Sequence, residues 1–166
     1  LFNLDFNQIS QIMKKVISIV LCIISFTIVT AQENEKVAVK KVVETFFDGF
    51  HKQDSLLMKS VLADDVVLQT TGLDKEGKTL FRNEKISKLI TSITSIPDSV
   101  AFEEKLTSWS IQVDRTMANA WVGYEFWING NFSHCGINSF QMVNFDGDWK
   151  IIYLIDTRGR ADCLEE

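Results

Sequence analysis

Toward the carboxyl end of the chain, ionisable and amide side chains recur among aromatic rings. They are Glu125, His134, Asn138, Asp156 and Arg158, interleaved with Tyr124, Trp127 and Phe140. A carboxylate or imidazole in an aromatic setting can orient a small molecule through a few fixed hydrogen bonds. It can also carry a proton to or from that molecule. Asp156, Glu125 and His134 are the candidates for proton chemistry; Trp109, Tyr124, Trp127, Asn138, Phe140 and Arg158 are the candidates for ligand contact. Plainer alternatives stand beside these. Glu125 and His134 can be an exposed cross-strand pair, worth a few tenths of a kcal/mol and at most about 1. Asp156 and Arg158, two apart on one strand, can simply neutralise each other, and Trp109 can be core. From Gln32 onward, two histidines and two scattered cysteines make no zinc site, and no cofactor is expected.

The elements that must place these groups are strands. Alternation over 118–128, 132–145 and 149–157 predicts a three-stranded meander. Its turns are Asn129-Gly130 and Asp146-Gly147, dipeptides that accept the positive φ angles of two-residue hairpins. With a two-residue first turn, Trp127 faces Phe132 and Glu125 faces His134. One face then carries Trp121, Gly123, Glu125, Trp127, His134, Gly136, Asn138, Phe140 and Met142. The other carries Ala120, Val122, Tyr124, Phe126, Ile128, Cys135, Ile137, Ser139, Gln141 and Val143. Either face can be the concave one. For the last hairpin, a three-residue loop over 146–148 is preferred, setting Phe140 opposite Leu154 and Asn138 opposite Asp156. A two-residue loop would bring Trp149, Ile151 and Tyr153 to that face instead.

Upstream, the pattern is helical. Val39, Val42, Val43, Phe46, Phe47 and Phe50 recur at three- and four-residue spacing within 33–52, a stripe that calls for a broad apolar partner such as a sheet. Gly49 permits a close approach, and His51 at the helix end is expected to be solvated. Asp54 caps a short helix over 55–62. A strand over 65–71, a polar loop over 72–77 and a short strand over 78–81 follow. A third helix is expected over 83–96, capped by Asn83 and stopped by Pro97. The span 102–113 is a strand with Leu106, Trp109, Ile111 and Val113 available for burial. Helices first and strands afterwards make an α+β domain.

The amino terminus reads differently. Met13-Lys14-Lys15, an apolar run and Thr30-Ala31-Gln32 form a signal-peptide pattern with cleavage expected after Ala31. A retained anchor is the competing reading, but the 16 residues between Lys15 and Gln32 fall short of the roughly 20 a spanning helix needs. Residues 1–12 fit no leader plan, so the working start is expected at Met13. Cys22 follows Leu21 in mid-run, which does not suit lipid attachment. From Gln32 onward, 135 residues carry 21 acidic and 15 basic side chains, a net charge of −6 without a basic cluster. That is the size of one domain, and its charge gives nucleic acid no foothold. The expected location is periplasmic or secreted, where Cys135 and Cys163 can pair; equally, Cys135 can be a buried thiol.

Three stretches carry a family resemblance: Val42-Val-Glu-Thr-Phe-Phe-Asp-Gly-Phe50 with Asp54, then Asp64-Asp65-Val66, then Phe140-Gln-Met-Val-Asn-Phe-Asp-Gly-Asp-Trp-Lys-Ile-Ile-Tyr-Leu-Ile-Asp-Thr-Arg158. Together they resemble the nuclear-transport-factor-2-like superfamily, which includes SnoaL-like cyclases and ketosteroid-isomerase-like proteins. More narrowly they resemble its small exported members, some labelled lumazine-binding. The resemblance covers residues 33–158. It implies a cystatin-like α+β barrel, a cone-like curved antiparallel sheet around the first helix with a pocket at its open end. It also implies a homodimer through the outer sheet face, and the tryptophan-rich sheet itself points to a small apolar or aromatic ligand. In the isomerase-like branch a carboxylate moves a proton opposite an oxyanion donor; here the base would be Asp156 or Glu125, and the donor Tyr124 or His134.

Overall fold

The computed structural model describes residues 6–160 and Cys163. The chain divides into two units, Leu1–Glu35 and Lys36–Glu166, and helix α1 (Phe6–His51) contributes to both. In the first unit Met13, Val16, Ile17 and Ile19 are exposed. Among the described residues no helix is long and apolar enough to cross a membrane. Residues 1–5 of the expected upstream extension, and the side chains of Cys22 and Ala31, lie outside the described residues.

In the second unit α1 buries the stripe its spacing predicts: Val39, Val43, Phe46, Phe47 and Phe50 are all buried. Each phenylalanine so removed from water is worth roughly 1.5–3 kcal/mol. Helix α2 (Ser55–Ser60) starts at Asp54, whose Oδ1 accepts from the Leu56 and Leu57 N–H groups at 2.9 and 3.0 Å. It packs closely on α1 because residue 49 is glycine; a Cβ there would lie 2.7 Å from the Met58 nitrogen. The helix is shorter than expected, since Leu62 already opens strand β1 (Leu62–Leu73).

Strand β2 (Thr79–Glu84) is longer than the sequence suggests. Asn83 pairs with Gln69 and Glu84 with Leu68, so Asn83 is a strand residue and not a cap. Helix α3 (Ile86–Thr94) therefore starts after Lys85, without a side-chain cap, and buries Ile90 and Ile93. Strands β3 (Phe102–Asp114), β4 (Met117–Ile128), β5 (Asn131–Phe145) and β6 (Asp148–Arg158) complete the unit. The sheet order is β2-β1-β6-β5-β4-β3, so it is an open sheet and not a closed barrel. Nor is it wholly antiparallel: β1 and β6, far apart in sequence, pair in parallel.

Both expected turns form with positive φ at both residues, 50° and 74° at Asn129-Gly130 and 54° and 100° at Asp146-Gly147. The register beyond them is decided by bulges. After Trp127 pairs Phe132, one residue is skipped, so Phe126 pairs His134 and Glu125 pairs Cys135. The expected Glu125–His134 pairing is thereby overturned. Glu125, Trp127 and Trp121 share the outer face with Cys135, while Val122, Tyr124 and Phe126 share the inner face with Asn138 and His134. A second bulge lies between Gln141 and Met142. The last turn has two residues, with Phe145 opposite Asp148, yet Phe140 still meets Leu154 and Asn138 still meets Asp156. The bulge brings Trp149 and Ile151 inward together with Leu154 and Asp156, all four buried. Such extra residues bend a sheet, here over α1: Phe46 and Phe47 meet Phe140 edge-on at 6.5 and 6.3 Å, and Phe50 meets Phe102 at 5.4 Å.

Candidate functional site

Along the inner face the side chains are graded by depth, two residues at a time. Phe140, Leu154 and Leu68 are cross-strand neighbours, and Leu154 and Leu68 form an apolar floor. The next rung holds Asn138, Asp156 and Thr70 side by side. The rung beyond holds Tyr124, paired with Gly136, and Arg158, paired with Gly72. His134, beside Phe126, lies nearest the end. Phe46, Phe47 and Phe50 of α1 and Leu89 and Ile93 of α3 close the other side, leaving a cavity of about 170 Å³.

Its polar groups hold one another in place. Asp156 is 6% exposed and accepts from Thr70 Oγ1 at 2.5 Å and from Arg158 Nε at 2.7 Å. Both its oxygens are therefore committed. Tyr124 donates to the Thr157 carbonyl at 2.9 Å, reaching past residue 136, where a Cβ would fall 1.9 Å from that same oxygen. Burial pushes the Tyr124 hydroxyl far above its usual range, and the Asp156 and Glu104 charges add to it. His134 Nδ1 lies 3.1 Å from Ser133 Oγ. Burial holds its imidazole below the usual value, and the Arg158 charge assists.

The most perturbed carboxyl group is one that the sequence reading did not single out. Glu104 receives a 2.7 Å hydrogen bond from Asn138 Nδ2. Burial, opposed by that bond and reinforced by the Asp156 charge, pushes its carboxyl group up to about 7. The signal lay in strand parity: Phe102 and Leu106 point inward, so Glu104 between them must as well. A bulge after Leu106 then switches the inward set to Trp109, Ile111 and Val113. Behind Glu104, the His51 Nε2 accepts its backbone N–H at 2.9 Å. His51 is exposed as expected, yet burial of its ring keeps it below the usual imidazole range despite Glu103 and Asp48 nearby.

The expected site residues thus divide. Asp156, His134, Tyr124, Asn138 and Arg158 line the cavity. Phe140, with no exposed surface, packs against Phe46 and Phe47 behind the floor and does not line the cavity. Glu125, Trp127 and Trp109 do not reach it. Glu125 accepts from Trp127 Nε1 at 2.9 Å on the outer face, with Lys105 over the Trp127 ring at 4.5 Å. Trp109 packs against the core under Lys40 at 5.0 Å. Among the described residues no three histidine, cysteine, aspartate or glutamate side chains gather to hold a metal. Cys135 and Cys163 form a disulfide, Cα atoms 5.8 Å apart.

This architecture, helices followed by an open bent sheet, is that of nuclear-transport-factor-2-like (NTF2-like), cystatin-like proteins. A solved NTF2-like protein of unknown function from Shewanella baltica OS155 matches with a TM-score of 0.56 at 17% identity, covering 77% of this chain and 96% of that one. Another, from Pseudomonas putida KT2440, gives 0.60 at 12% identity with 80% and 93% covered. A cystatin-like protein of unknown function from Nostoc punctiforme PCC 73102 gives 0.58 at 16%, with 76% and 92% covered. At these identities the likeness establishes the fold. No curated protein is similar enough to count as a match. The chain belongs to the family described as "Putative lumazine-binding", whose profile matches residues 34–153.

Proposed function

We propose that this is an exported protein that holds a small apolar or aromatic molecule in the cavity between α1, α3 and the inner sheet face. The observation that carries this reading is the grading of the cavity, with an apolar floor and helical wall and one cluster of internally satisfied polar groups at the far end. Sites that bind small molecules have this composition. The family description points the same way. Export is supported by the leader pattern around Met13 to Ala31 and by the Cys135–Cys163 disulfide, a bond that persists in oxidising compartments. Trp121, half exposed on the outer sheet face, supports a homodimer through that face. Native mass spectrometry of the protein isolated from its own host tests the binding reading. A co-purifying small molecule, lost on Leu154→Trp filling of the cavity, is expected; a ligand-free mass under gentle desolvation would count against it.

A second reading has a specific observation behind it. Glu104, with its carboxyl group near 7 and its position fixed by Asn138, suits a general base or acid for a cofactor-independent isomerase, dehydratase or cyclase. Turnover unaffected by Glu104→Gln would remove it.

A further inference from the structure

Beside the far end of the cavity lies a wider space of about 590 Å³ whose lining includes Ser133, His134, Arg158 and Arg160, with Leu73 and Phe126 as apolar walls. Phe126, His134 and Arg158 line both spaces, so the two lie side by side around the same three side chains. Charge is segregated between them. Glu84, Glu104 and Asp156 belong to the inner space, whereas no acidic residue lines the outer one among the described residues. In a chain of net charge −5, a mouth with two arginines and a histidine is a local reversal.

The arginines are also held there. Arg158 Nε is bound to Asp156, which fixes the plane of the guanidinium. Its two terminal nitrogens make no hydrogen bond among the described residues and are free to take a bidentate partner. Residue 159 pairs with Cys135 through backbone hydrogen bonds of 3.1 and 2.9 Å. The Cys135–Cys163 disulfide ties the following segment to β5. The chain carrying Arg158 and Arg160 is thereby fastened beside His134.

We propose that the ligand of this cavity is an organic carboxylate with a single apolar ring or short branched chain, its body on the apolar floor and its carboxylate between Arg158, Arg160 and His134. This rests on the binding reading above and specifies its ligand class. The size follows from the inner volume, since an apolar cavity of about 150 Å³ accommodates benzene. The charge follows from the arginines, because planar guanidinium groups match carboxylates bidentately. Of the inner acids, Asp156 is already paired and Glu104 is mostly protonated below neutrality.

Three probes of nearly equal size decide the matter: phenylacetate, phenylacetamide and 2-phenylethylamine, titrated calorimetrically into the protein with its disulfide intact. Phenylacetate should bind about tenfold or more tightly than the amide, and the amine more weakly than both. Arg160→Gln, at an exposed position, should weaken phenylacetate by roughly three- to tenfold and leave the amide unchanged. Arg158→Lys should keep part of the preference that Arg158→Gln loses. Equal or reversed affinities would overturn the carboxylate assignment while leaving the cavity as a binding site. Failure of all three probes to bind would overturn both.

Discussion

Glu104 concentrates the chemistry of the site in one carboxyl group. In an unfolded chain it would ionise near 4.5; in the folded protein it does so near 7. Between those values the folded state holds the proton and the unfolded state does not. This group therefore stabilises the fold least above pH 7 and imposes no cost below about 4.5. Replacing it by Gln, which keeps a partner for Asn138, should raise stability at pH 8 by roughly 1–3 kcal/mol and change it little at pH 4.5. Urea denaturation at the two pH values measures this. An equal effect at both would mean that Glu104 is not a buried proton carrier. Gly136 is a second single-residue dependence. Ala at 136 would drive a methyl group into the Thr157 carbonyl that accepts from Tyr124, so the variant should lose several degrees of melting temperature.

Among the elements, α1 and the β4–β5–β6 meander were readable in advance for different reasons. The helix was readable because its apolar spacing is regular, and Phe46, Phe47 and Phe50 are buried as that spacing demands. Phe46→Ala should cost about 3–5 kcal/mol, seen as a lowered urea midpoint with little change in slope. The meander's turns were equally plain, because Asn-Gly and Asp-Gly specify backbone angles locally. The faces of its strands were not. A bulge leaves no mark as strong as a turn does, and a single skipped residue before His134 moves Glu125 from the cavity to the outside. The same kind of insertion near Ile152 gave the expected Asn138–Asp156 pairing by a different route. Thr70 entered the site through parallel pairing of β1 with β6, a contact across 86 residues that no local pattern announces. The disulfide was one of two readings of Cys135. Cys163→Ser should cost roughly 2–4 kcal/mol, and by releasing Cys163 from Cys135 should also weaken phenylacetate binding.

At the level of the whole molecule, two kinds of titration oppose each other. Burial lowers both His51 and His134, so each resists protonation when folded. Their contribution is complete above the unfolded value of 6.5 and is lost as pH falls below it. Glu104 acts in the opposite sense between about 4.5 and 7. Between pH 7 and 5 stability should therefore fall more steeply with acid in Glu104→Gln than in the native protein, as thermal melts across that range would report.

Strand β3 ends the sheet, and the amide of Glu104 on it is taken by His51 Nε2. An imidazole that gains a proton has only donors to offer, and would then face the Glu104 amide with like against like. Acid should thus strip a guard from the sheet's rim and leave it receptive to a rim from another copy. Acidification, resisted by burial of the ring and eased by Glu103 and Asp48 nearby, would be the condition under which this protein begins to form intermolecular ribbons, and His51→Gln would postpone them.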